Sequence, residues 1–132
     1  MTTKAINTRD DVFLLVDTFY RKIRKDELLG PIFNNQISDW DAHLQRLTDF
    51  WETNLFATQS FKGNPFLKHQ LVDAKNNYEI GAFHFGIWLQ YWFATVDALF
   101  VGDRAELAKH RARKMGTFMH LNMAEKKPKI TN

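Results

Sequence analysis

The chain contains no cysteine. That removes disulfide staples, thiolate metal sites, thioether-tethered cofactors and thiol nucleophiles together. Proline occurs only at Pro31, Pro65 and Pro128, each of which punctuates, so long stretches are free to be helical. The six glycines form no phosphate-cradling loop and no flavin or nicotinamide fingerprint, and no HxxxH pair carries a glutamate, which leaves a zinc hydrolase site without support. No apolar run reaches membrane length: the most apolar stretch, Phe83 to Val101, is interrupted by Gln90 and Asp97 and reads as a central core helix. Met1 to Asn7 lacks the apolar core of a secretion signal, so the expected location is the cytoplasm. Charge of one sign is also missing. Eighteen basic against fifteen acidic residues leave +3, and the single tight basic run, Lys126, Lys127 and Lys129, has no interleaved aromatics or glycines; it reads as a solvated tail, with neither nucleic acid nor membrane expected as a partner.

Aromatic side chains are what the chain has in excess. Twelve Phe, four Trp and three Tyr fall within 132 residues, a length suited to one domain with one core. Such a core either packs large side chains or lines a cavity for a flat apolar guest. No strand-like alternation persists, and the expected class is all-α. The first helix is expected from Thr8, a natural N-cap, to Lys25, with Phe13, Val16, Tyr20 and Ile23 on one stripe. Gly30-Pro31 reads as a break. A second helix is expected from near Ser38, carrying Trp40, His43, Leu44, Leu47, Phe50, Trp51 and Leu55 at intervals of three and four. A third runs from about Asn77 to Phe100 with Phe85, Trp88, Leu89 and Trp92 on one stripe. A fourth opens at Gly102-Asp103 and ends near Met123, with Leu107, Met115, Phe118 and Met119 inward. Residues 1–125 are expected to form the domain and 126–132 a flexible basic tail.

The stretch from Ala57 to Asn77 has no clear period. About twenty irregular residues inside a compact domain usually mean function or disorder, and Phe61, Phe66, Leu67, Leu71 and Val72 are too apolar for disorder. His69 stands in this stretch, where a neutral imidazole is a competent metal ligand and Asp73 could orient its other nitrogen. Tyr20, His43 and Trp88 each put a polar-tipped ring on a stripe that is otherwise apolar. Singly, each also reads as a core residue with a satisfied donor; together, on several helices, they read as donors converging on a buried pocket.

With these residues in view, the chain resembles a truncated haemoglobin of group III. Phe19-Tyr20 followed by Gly30-Pro31-Ile32-Phe33, His43 followed by Leu47, Phe50 and Trp51, the segment Leu67-Lys68-His69, and His84-Phe85-Gly86-Ile87-Trp88-Leu89 carry the resemblance, which spans roughly Thr8 to Asn122. The glycine pairs of groups I and II are missing, as group III requires. The resemblance implies a two-over-two helical sandwich around non-covalent haem b, iron protoporphyrin IX. It implies His69 as the iron ligand and Tyr20, His43 and Trp88 lining the ligand side. Phe33, Leu47, Phe50, Trp51, Phe66 and Phe85 are then expected at the porphyrin, with Arg46, Lys68 and His84 as candidate propionate partners. The implied function is reversible binding of oxygen or a related diatomic ligand. The alternative is nitric oxide dioxygenation or peroxidase-like chemistry with a separate reductase. A helical interaction module whose aromatics are only core is the reading without a cofactor.

Overall fold

The computed structural model describes residues 2–57 and 82–126, with side chains described for 2–57 and 83–115. Among the described residues the regular elements are helices: α1 (Arg9–Lys25), α2 (Leu29–Gln36), α3 (Trp40–Phe56), α4 (Ala82–Leu99) and α5 (Asp103–Lys126). An isolated parallel bridge from Lys4 to Phe100 ties the N-terminal strap to the corner between α4 and α5. Helix α1 packs on α3, α4 packs on α5, and the two pairs meet where α1 touches α4 and α3 touches α5. That closed circuit of contacts is a two-on-two helical sandwich.

Local chemistry explains where the helices begin. Thr8 caps α1: its side chain accepts from the Asp11 N–H at 3.2 Å, and Asp11 Oδ2 accepts from the Thr8 N–H at 3.1 Å and the Asn7 N–H at 2.8 Å, a reciprocal capping box. Asp11 also pairs with Lys4 Nζ at 2.7 Å. Asp39, one residue past the expected Ser38, caps α3 by accepting from Ala42 N–H at 3.1 Å. Helix α3 ends on Ala57 in the left-handed region, φ 56°. The third expected helix begins at Ala82 within the described part, and its earlier residues, Asn77 to Gly81, lie outside it. The last helix continues three residues past Met123, to Lys126.

The expected break at Gly30-Pro31 is corrected: these residues form the first turn of α2. Proline is third in that helix, where its missing N–H removes no intrahelical bond. Asp26 Oδ1 does the capping, accepting from Leu28 N–H at 2.9 Å and Leu29 N–H at 2.8 Å. Glycine is needed for space, since a Cβ at Gly30 would stand 2.6 Å from the Arg24 carbonyl oxygen.

Val12, Leu15, Val16, Phe19 and Ile23 of α1 are wholly buried, with Trp92 and Val96 of α4. Fully burying each large apolar side chain contributes about 1.5–3 kcal/mol. On α5 the close contacts are made by alanines, Ala105, Ala108 and Ala112, which let the α4 backbone approach. Leu107 and Met115 are half-buried against that core, whereas Phe118 and Met119 lie outside the described side chains.

Candidate functional site

Three helices bring Tyr20, His43 and Trp88 into one neighbourhood. Tyr20, on the inward stripe of α1, keeps 4% of its surface, and Trp88 on α4 keeps 8%. The Tyr20 ring meets the His43 ring of α3 edge-on, with centroids 5.9 Å apart at 85°. Phe19 ties Tyr20 to Trp88, with edge contacts of 4.8 Å to the first and 5.4 Å to the second.

The donors here are unusual for a core. Trp88 Nε1 is fully buried and has no hydrogen-bond partner among the described residues, a state that costs about 1–3 kcal/mol in a folded protein. Burial pushes the Tyr20 phenol up to about 12, and the neighbouring Trp88 indole partly opposes the rise. The indole's approach falls short of a hydrogen bond, because Nε1 remains unpartnered. At any pH up to that of strong alkali, this corner therefore holds a neutral O–H and a neutral N–H. An apolar enclosure with such donors can stabilise a small guest that carries negative charge density.

Trp40, which periodicity left among the core, helps to shape the site, as does Phe33, which the resemblance places at the porphyrin. Trp40, the first residue of α3, touches both Tyr20 (5.8 Å) and His43 (5.5 Å, 90°). The Arg24 guanidinium covers its ring at 4.4 Å. Trp40 stands three residues before His43, one helical turn away, and that spacing was the available signal. Phe33, on the unexpected α2, lies 6.0 Å from the Tyr20 ring.

The remaining expected cofactor residues within the described part lie on α3 and at the start of α4. Leu47 and Phe50 are half-buried on α3 against the core. Trp51 is 3% exposed and stacks on Trp92 at 4.5 Å and 23°. His84 and Phe85 are half-buried at the start of α4, with Phe83 exposed beside them, and Arg46 stands on the exposed side of α3. His69, Phe66, Lys68 and Asp73 lie outside the described residues.

Several other polar groups along α4 are hydrogen-bonded. Tyr91 Oη donates to Asp26 Oδ2 at 2.6 Å, and Trp92 Nε1 donates to the Ala108 carbonyl at 3.1 Å. Lys22 Nζ donates to Thr95 Oγ1 at 3.0 Å, while that hydroxyl donates to the Tyr91 carbonyl at 2.7 Å. Among the buried side-chain nitrogens and oxygens of the described residues, Trp88 Nε1 is the one without a partner.

Two layers of two helices with a donor-bearing aromatic corner at their junction have the fold of a truncated globin. The chain is 28% identical over 122 residues to the group 3 truncated hemoglobin ctb of Campylobacter jejuni, an alignment covering 89% of this chain and 91% of that protein. The crystal structure of a group III truncated haemoglobin from the same organism superimposes with a TM-score of 0.77 at 24% identity, covering 92% of this chain and 95% of the other. No family model matches. The all-α globin fold and the resemblance to group III truncated haemoglobins therefore stand over nearly the whole chain.

Proposed function

We propose that the protein holds haem b between its two helical layers, with His69 as the iron ligand, and binds oxygen or a related diatomic ligand on the side of Tyr20, His43 and Trp88. The observation that carries this reading is the buried, unpartnered Nε1 of Trp88 beside the buried Tyr20 phenol. A folded core tolerates such a donor poorly, and a small acceptor in the same enclosure would satisfy it. The likeness to a group 3 truncated hemoglobin supports the cofactor.

When bound, the haem supplies an iron that takes a diatomic ligand and shifts negative charge onto it. The chain's own residues do the rest. Tyr20 Oη donates a proton in hydrogen bonding without giving it up, because burial keeps the phenol neutral. Trp88 Nε1 can only donate. Each charge-assisted bond in a dry site is worth about 1.5–3 kcal/mol, so two such donors slow ligand release by on the order of a hundredfold or more. Phe33, Trp40 and Phe19 exclude water around the phenol, which strengthens both bonds. High affinity and slow release follow, suiting a ligand-holding protein better than a carrier.

The visible spectrum of the purified chain tests the proposal. A Soret band that His69→Ala abolishes, and ligand release that Tyr20→Phe accelerates, are expected. A colourless chain that takes up no added haem would overturn it.

A further inference from the structure

Running from the ligand corner, α3 and α4 carry a set of redox-competent rings, of which the proposed function uses Trp88 alone, as a hydrogen-bond donor. Trp51, Trp92 and Trp88 form a continuous stack through the core, with centroids 4.5 Å and 6.1 Å apart and ring planes at 23° and 2°. All three are buried, with exposures of 3%, 0% and 8%. One turn after Trp88 and next to Trp92 on the same helix stands Tyr91, which is half-buried and whose hydroxyl donates to the Asp26 carboxylate at 2.6 Å. We propose that Tyr91 and Asp26 form a one-electron exchange port, through which a small reductant at the surface supplies electrons, by way of the indole stack, to the buried site.

Proton placement gives the port its direction. An indole that loses an electron becomes a much stronger acid, but the Trp92 N–H faces a backbone carbonyl and the Trp88 N–H, unpartnered among the described residues, neighbours the Tyr20 phenol, which is no base. Neither can shed its proton to a base, so the oxidised indole stays a radical cation and remains strongly oxidising. Tyr91 differs: its proton already points at a carboxylate oxygen. It gives one electron to the indole radical cation and its phenolic proton to Asp26 Oδ2, and the indole is restored with its N–H in place. The tyrosyl radical then takes one electron from an external reductant of the phenol or ascorbate type, and the proton returns from Asp26 along the same hydrogen bond. Two such passages, with two protons, reduce a hydroperoxide to an alcohol and water. Asp26 is fixed for this task by the Leu28 and Leu29 N–H groups that bond its other oxygen.

The use of the port at an iron site rests on the proposed function, but the transfer step does not, and the experiment separates them. Laser photoionisation of the full chain removes electrons from its indoles with or without a cofactor. The expected result is decay of the indole-radical absorption with a matching rise of the tyrosyl band. That rise is lost in Tyr91→Phe and slowed by about tenfold or more in Asp26→Asn, the equivalent of one charge-assisted hydrogen bond. A tyrosyl band that persists in Tyr91→Phe, one absent from the wild type, or a rate that Asp26→Asn leaves unchanged would each overturn the port. In the haem-loaded chain, freeze-quenched electron spin resonance after a hydroperoxide pulse is expected to show the same Tyr91-dependent radical, and its persistence in Tyr91→Phe would likewise count against the port. A chain that shows no Soret band yet passes the charge to Tyr91 keeps the port and overturns the iron reading. A purely structural Asp26–Tyr91 clamp would shift the melting temperature in these variants without moving either spectroscopic signal.

Discussion

Replacing Trp88 and Trp92 separately by phenylalanine tests whether the Trp88 donor is truly unpartnered. Each swap removes about 40 Å² of apolar ring surface, worth about 1 kcal/mol. At Trp92 the swap also removes the bond to the Ala108 carbonyl, about 0.5–1.5 kcal/mol net. It further weakens stacking on both Trp51 and Trp88, at about 0.5–1.5 kcal/mol per contact. The expected loss for Trp92→Phe is therefore about 2.5–5.5 kcal/mol in total. At Trp88 the lost surface and the weakened stacking on Trp92, about 0.5–1.5 kcal/mol, are opposed by release of an unsatisfied buried N–H, which returns about 1–3 kcal/mol. Trp88→Phe is thus expected near neutral in the ligand-free protein. Urea unfolding followed by far-ultraviolet circular dichroism, which does not depend on the indoles, measures both. A diatomic ligand that accepts from Nε1 reverses the sign: its release from Trp88→Phe should quicken by about tenfold for each 1.4 kcal/mol of bond lost. Equal destabilisation by the two swaps would show that Nε1 has a partner in the free protein, and the argument for a site at that corner would fail with it.

Gly30→Ala forces a Cβ to within 2.6 Å of the Arg24 carbonyl, so a loss of about 1–3 kcal/mol in thermal unfolding is expected; an unchanged melting temperature would mean that α1 and α2 separate freely there. Ala57→Gly relieves a left-handed residue at the end of α3 and should raise stability by about 0.5–1 kcal/mol in the same assay, the cost of the Cβ in that conformation less the added chain entropy of glycine. Burial raises the Asp11 carboxyl, but the Lys4 ion pair and the Asn7 and Thr8 N–H bonds outweigh it, so the net shift is downward from 3.8. A depressed carboxylate stabilises the fold above its unfolded value and loses that contribution as pH falls through the folded one. The stability difference between wild type and Asp11→Asn should therefore be constant near neutrality and shrink below about pH 3.8, by acid titration of the unfolding free energy.

Stripes were legible in the sequence, and pairings were not. Thr8 with Asp11 three residues on announced the start of α1, and the three-four spacing of Leu44, Leu47, Trp51 and Leu55 announced the buried side of α3, because capping and amphipathicity are local. Tyr20, His43 and Trp88 stood out as donors on apolar stripes, and the fold gathers them into one corner. Helix α2 was hidden because its N-terminal signal is not a cap at the usual place: Asp26 closes α1 by donating its backbone N–H to the Ile23 carbonyl and opens α2 with its side-chain carboxylate. The Gly-Pro pair that normally marks a break serves here as a tight approach followed by a proline in a first helical turn.

The same carboxylate shows what periodicity cannot carry. Asp26 and Tyr91 are 65 residues apart, and no pattern within either segment links them. Their bond exists because α1 and α4 lie against each other, and that packing is set by Phe19, Trp88 and Trp92, whose edge-to-face contacts of 5.4 Å and 5.0 Å lock the two helices in register. The hydrogen bond to Tyr91 is the largest influence holding Asp26 below the ordinary carboxylate range, with the Leu29 N–H next, burial opposing and the Leu28 N–H adding to the depression. A charge fixed by that packing can then act on whatever passes along α4. Large aromatics in this chain thus do two jobs through one set of contacts: they fill the core, and they place polar groups from distant segments where chemistry can use them.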